Sequence, residues 1–190
     1  LLSVDVLSPA ENTVPEYYFW IVDTAMDLWQ PVTTNTSLKM QFLEKFNAFD
    51  NHEIIVELNE PKVGLRGFIA IHNRNLGPAV GGTRMFPYHS EAAALEDALR
   101  LSRAMTYKCA MAGVNYGGGK GVIIADPDTD KTKELLSAYA MKVKELEGKF
   151  YTGEDVGISE EDVQYMLTES PYFIGKTALA GDPSPYASLS

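Results

Sequence analysis

Four consecutive apolar residues, Val122-Ile123-Ile124-Ala125, follow directly on Gly117-Gly118-Gly119-Lys120-Gly121. A short continuous run of this kind lacks the in–out alternation of a half-solvated strand. It therefore predicts a strand buried on both faces, which requires other elements above and below it. Helical and β-rich stretches alternate around it. Ser90 opens a long helix to about Tyr107, with Ala94, Leu95, Ala98, Leu99, Ser102 and Met105 on the inward side. Leu135 to Leu146 reads as a helix, Phe150-Tyr151-Thr152 as a strand, and Glu160 to Thr168 as a helix opened by Ser159. Strands alternating with helices indicate a layered α/β sheet.

Upstream the period is different. Ile54 to Leu58, Gly67 to His72 and a run around Thr83 to Phe86 are short and β-rich, and predict an antiparallel meander. Residues 1–38 read as an N-terminal extension. Within it Tyr18, Val22, Ala25 and Trp29 recur at helical spacing between Pro15 and Pro31, as in an amphipathic helix. Ser37 is placed to cap a further helix from Leu38 to Phe46.

Bulk properties exclude several classes. The 190 residues suffice for one domain with a sizeable core. A net charge of −10 leaves no basic surplus to replace the counterions of nucleic acid or to grip an anionic membrane. No apolar run approaches the ~18–20 residues that span a bilayer, and the opening decapeptide lacks the basic start of a secretory signal. Cys109 is the single cysteine, so no intrachain disulfide forms and a reducing, cytoplasmic setting is expected. It reads as a small buried residue. No metal site is predicted.

Against this acidic background two lysines stand out. Lys108 closes the long helix in Thr106-Tyr107-Lys108-Cys109, and Lys120 follows three glycines that allow close backbone approach to a ligand. A carboxylate comes later, in Glu154-Asp155-Val156-Gly157. Two cations and an acid could hold a zwitterion and move its protons. Singly, each has a plainer reading: Lys108 as a charge at a helix C-terminus, Asp155 as a turn carboxylate, Gly117-Gly118-Gly119-Lys120 and Gly81-Gly82-Thr83-Arg84 as tight turns. A nucleotide phosphate loop is excluded, since Val114 stands where its first glycine belongs and Gly121 where its Ser or Thr belongs. No dinucleotide fingerprint follows any strand.

Taken in order, six motifs resemble the N-terminal, substrate-binding domain of the leucine/phenylalanine/valine branch of the amino-acid dehydrogenases. They are Gly64 to His72, Leu76 to Met85, Glu96 to Leu101, Met105 to Lys108, Gly117 to Lys120 and Glu154 to Gly157. Gly181-Asp182-Pro183-Ser184-Pro185 resembles the crossing into that family's nucleotide domain. The resemblance covers about residues 39–186 and implies a three-layer α/β/α fold with a mixed sheet. It implies that Lys108 binds the substrate α-carboxylate and that Lys120 is the base that activates water. Asp155 would exchange protons with the substrate nitrogen, while Gly81 and Gly82 line the site.

In glutamate-specific relatives a lysine precedes the glycine pair; here Val80 does, which implies an apolar side chain, with Met105 also lining its pocket. The implied reaction is NAD- or NADP-dependent deamination of an apolar L-amino acid to its 2-oxo acid and ammonia, in a homo-oligomer. The cofactor-binding residues are not identified, since the Rossmann domain that would carry them is absent from these 190 residues. A stand-alone oligomerisation or amino-acid-binding module is the alternative. Ala187 departs from the threonine expected after the Pro-Ser-Pro stretch, and residues 1–38 lack a counterpart in shorter members.

Overall fold

The computed structural model describes residues 18–20 and 42–175. Its strands are β1 Tyr18–Trp20, β2 Ile54–Glu60, β3 Leu65–Asn73, β4 Ala79–Phe86, β5 Gly117–Ile124, β6 Phe150–Gly153 and β7 Phe173–Ile174. They form one sheet in the order β1-β2-β3-β5-β4-β6-β7. The longer helices are α1 Glu91–Met111, α2 Lys133–Glu145 and α3 Glu160–Leu167.

Side-chain alternation on the strands sets the layers. Ile55, Phe68, Ala70, Val122 and Ile124 pack with Ala94, Leu95, Ala98 and Leu99 of α1. Their neighbours Ile54, Val56, Ile69, Ile71, Met85 and Ile123 pack the other way, on residues of α2 and α3 that include Leu135, Tyr139 and Met166. Every residue of β5 is consequently buried, as its unbroken apolar run predicts. The result is a three-layer α/β/α domain with a mixed sheet. Helix starts follow local chemistry: Ser90 Oγ accepts from the Ala93 amide, and Ser159 forms a reciprocal capping box with Asp162.

The expected meander is corrected. β2 and β3 are antiparallel, but β4 runs parallel to both β5 and β6 and is separated from β3 by β5. A parallel pair needs a long crossover, and the 21-residue α1 supplies it between β4 and β5. The glycines read as turns are also corrected: Gly81-Gly82 lie inside β4 and Gly117-Gly118-Gly119 inside β5. α1 continues past Tyr107 to Met111, so Lys108 stands in its last turn.

The helical expectation for the extension fails at its start. Tyr18–Trp20 is a strand parallel to β2, consistent with the strand preference of consecutive aromatic residues. Val22, Ala25, Trp29 and Ser37 lie outside the described residues. Of the helix expected from Leu38 to Phe46, only Phe42 and Leu43 are helical within the described part, and turns follow. No described helix is long and apolar enough to cross a membrane.

Candidate active site

Strand alternation sends Gly118, Lys120, Val122 and Ile124 to the α1 face of the sheet. The first contact there is very close: a Cβ on Gly118 would lie 2.2 Å from both the amide nitrogen and the Oγ1 of Thr106. Helix and strand therefore touch backbone to backbone at this point. Lys120 is two residues beyond it along β5, and Lys108 is two residues beyond it along α1. Lys120 is 5% exposed, whereas Lys108 is exposed and makes no ion pair among the described residues.

Asp155 arrives from a different direction. β6 ends at Gly153 while β4 runs on to Phe86, and the chain after β6 lies along that free stretch, with the Met85 amide donating to the Val156 carbonyl at 2.9 Å. Gly157 turns this loop at φ 79°, where a Cβ would lie 2.1 Å from the Met85 carbonyl oxygen. A Cβ on Gly82 would stand 2.9 Å from that of Asp155. So placed, Asp155 Oδ2 accepts from Lys120 Nζ at 2.6 Å and from Arg84 Nε at 2.9 Å. Arg84 Nη1 bonds Asp97 Oδ2 at 2.9 Å, and that same oxygen accepts from the Tyr88 hydroxyl at 2.6 Å.

Burial lowers the proton affinity of Lys120, and the hydrogen bond and charge of Asp155 offset only part of that. Burial also works against the charge on Asp155. There, however, the bonds and charges of Lys120 and then of Arg84 prevail and hold the carboxyl below its usual range. The pair is thus an ion pair whose cation gives up its proton more readily than a surface lysine does.

The glycines around it play a role that their sequence hid. None of Gly81, Gly82 or Gly117-Gly118-Gly119 has a left-handed backbone. Their missing side chains are replaced by the protein's own atoms: Gly119 O and Met105 at Gly81, Glu154 O at Gly82, the Phe150 ring at Gly119. They bring strands, helix and the Asp155 loop together rather than opening a cradle. Behind them Thr83 Oγ1 bonds the Tyr139 hydroxyl at 2.6 Å and Thr152 Oγ1 at 2.7 Å, tying β4, α2 and β6 together.

Val80 is buried with Cys109 and Tyr116 in a small apolar cluster that Met105, Val114, Tyr151 and Ile174 border. The structure therefore groups Val80, Met105 and buried Cys109 on one side, and Lys120 with Asp155 on the other, with Gly81 and Gly82 between along β4. Arg84 and Asp97 were not singled out from sequence. A usable signal existed, because the period of two that puts Gly82 on the α1 face puts Arg84 there too.

Ion-paired, nearly buried Lys120 in the middle of a glycine-packed strand, inside a three-layer mixed-sheet domain, defines the class of fold and site. Residues 52–172 match the family model described as "Glu/Leu/Phe/Val dehydrogenase, dimerisation domain", and the chain belongs to that family. It is 49% identical to phenylalanine dehydrogenase of Bacillus thermotolerans over 144 residues, which are 74% of this chain and 38% of that protein. It is 45% identical to leucine dehydrogenase of Bacillus subtilis over 148 residues, 76% of this chain and 40% of that one. The crystal structure of L-tryptophan dehydrogenase from Nostoc punctiforme superposes with TM-score 0.65 at 44% identity, covering 71% of this chain and 39% of that one. The chain thus spans about two fifths of the length of the curated relatives it matches.

Proposed function

We propose that residues 39–186 are the substrate-binding and catalytic domain of an NAD- or NADP-dependent L-amino-acid dehydrogenase acting on an apolar, branched-chain or aromatic substrate. The observation that carries this reading is the 2.6 Å contact between nearly buried Lys120 and Asp155. A buried ion pair is at best a weak source of stability, so a purely structural domain gains little from one, whereas proton transfer needs it.

In this reading Lys108, exposed at the α1 C-terminus, takes the substrate α-carboxylate. Lys120 accepts a proton from water as the water attacks Cα of the imine. Asp155 exchanges a proton with the substrate nitrogen as ammonia forms. A bound nicotinamide supplies hydride acceptance. The glycines near Lys120 are closed by protein atoms and form no cradle for its dinucleotide. Val80 and its apolar neighbours offer no cation to a side-chain carboxylate, and burying one unpaired would cost several kcal/mol. The family description as a dimerisation domain supports a homo-oligomer, and the single buried Cys109 supports a cytoplasmic setting.

The test is a substrate panel on the full-length protein. Leucine, valine, phenylalanine or tryptophan should be oxidised in preference to glutamate. Lys120→Ala should lower kcat by about 100-fold or more. Preference for glutamate, or a fully active Lys120→Ala, would overturn the proposal.

A further inference from the structure

Asp155 receives both of its cations on one oxygen. Lys120 Nζ and Arg84 Nε converge on Oδ2, while Oδ1 makes no hydrogen bond among the described residues. Arg84 is not a surface passer-by. Its side chain is 23% exposed and bridges two carboxylates, Asp155 through Nε and Asp97 through Nη1. Asp97 is held in turn by the Tyr88 hydroxyl on Oδ2 and by Arg100 Nη2 at 2.5 Å on Oδ1. The charges therefore alternate from strand to loop to strand to helix: Lys120 on β5, Asp155 after β6, Arg84 on β4, Asp97 and Arg100 on α1.

If Lys120 takes and releases a proton, Asp155 faces a neutral partner for part of every cycle. With Lys120 as its sole cation, a carboxylate three-quarters buried would then itself take up a proton. Arg84 removes that escape, because a guanidinium does not deprotonate in the working range. Arg84 holds the carboxylate at Oδ2 from β4, while Lys120 reaches the same oxygen from β5.

Resting on the reading of Lys120 and Asp155 as the proton-handling pair, we infer that Arg84 is the positioning residue of this site. It anchors Asp155 by Oδ2 and keeps it ionised through the cycle, leaving Oδ1 to meet the substrate nitrogen. Asp97 tempers the field that Arg84 exerts. The groups facing the pair are Arg84, Asp97, Arg100 and Tyr88, with exposed Glu154 adjoining Asp155 in the chain.

The two outer residues push in opposite directions, which gives the test its sign. Removing the Arg84 charge raises the proton affinity of both Lys120 and Asp155. Removing the Asp97 charge lowers both. In the full-length protein labelled at the lysine ε-carbon, the Lys120 signal is assigned by its loss in Lys120→Arg and titrated in each variant. Arg84→Gln should move its midpoint up by about one pH unit, and Asp97→Asn should move it down. The pH profile of kcat/KM with an apolar amino acid should shift in the same two directions. Arg84→Lys should keep the midpoint near the parent's yet lose about tenfold in kcat, since one ammonium cannot bridge both carboxylates.

Midpoints that stay put, or that move the same way in Arg84→Gln and Asp97→Asn, overturn the inference. Opposite midpoint shifts in a protein without dehydrogenase activity uphold only the electrostatic hold of Arg84 on Lys120 and Asp155, and overturn the functional reading instead.

Discussion

Replacing Asp155 by Asn deletes one charge while keeping the side-chain shape, and leaves the Lys120 ammonium without the counter-charge it has at 2.6 Å. Removing one partner of a buried pair costs ~3–5 kcal/mol. Asp155 keeps 25% of its side-chain surface in water, which places the cost at the lower end, about 3 kcal/mol. Lys120 has an alternative to staying charged. Releasing its proton near pH 7, from an ordinary 10.5, costs about 1.36 kcal/mol per pH unit, so roughly 5 kcal/mol caps the penalty.

The expected loss near neutrality is therefore about 3 kcal/mol, or about 6–12 °C in Tm for a chain of this size. The sign of its pH dependence follows. Without Asp155 the folded-state proton affinity of Lys120 falls further below its unfolded value. Between the two the unfolded chain binds more protons, and stability rises with pH. Urea denaturation of both proteins across about pH 6 to 10 should show the gap closing as pH rises. A gap that widens with pH, or one below about 1 kcal/mol at neutrality, would refute the argument.

Gly118→Ala places a Cβ 2.2 Å from the Thr106 amide nitrogen, where α1 can yield only by leaving β5. It should cost more than about 3 kcal/mol, beyond ordinary over-packing, and an unchanged denaturation midpoint would contradict the contact. His52 accepts from the Asp50 amide and its Nε2 meets the Leu99 carbonyl at 3.0 Å, so it is held neutral, its pKa pulled down by burial to about 4. As pH falls from about 6.5 to about 4 the unfolded chain protonates first, removing about 3 kcal/mol of stability; His52→Gln should flatten that acid limb in urea titrations. Tyr139→Phe removes a hydroxyl bonded to Thr83 at 2.6 Å and should cost about 1–2 kcal/mol, with a smaller change in urea midpoint counting against the buried hydroxyl chain.

Much of the frame was legible because it is written locally. Ser90 and Ser159 mark helix starts through bonds to amides three residues on, and Val122 to Ala125 announces burial on both sides without reference to any partner. The glycines were misread for the complementary reason. A glycine that makes a turn and a glycine that admits a neighbouring backbone look identical in sequence, and only the position of Thr106, Phe150 or Gly119 distinguishes them.

Strand order, too, is a non-local choice. β4 could have joined β3, but α1 carries the chain over one face and sets β5 between them. That choice brings Lys120 to an acid 35 residues away and Arg84 to the same acid 71 residues away. Residue types and their alternation determined which groups could ionise and which face they would occupy. Register and layer contacts decided which charges meet, because Coulomb attraction and desolvation depend on ångström separations that no one-dimensional spacing contains.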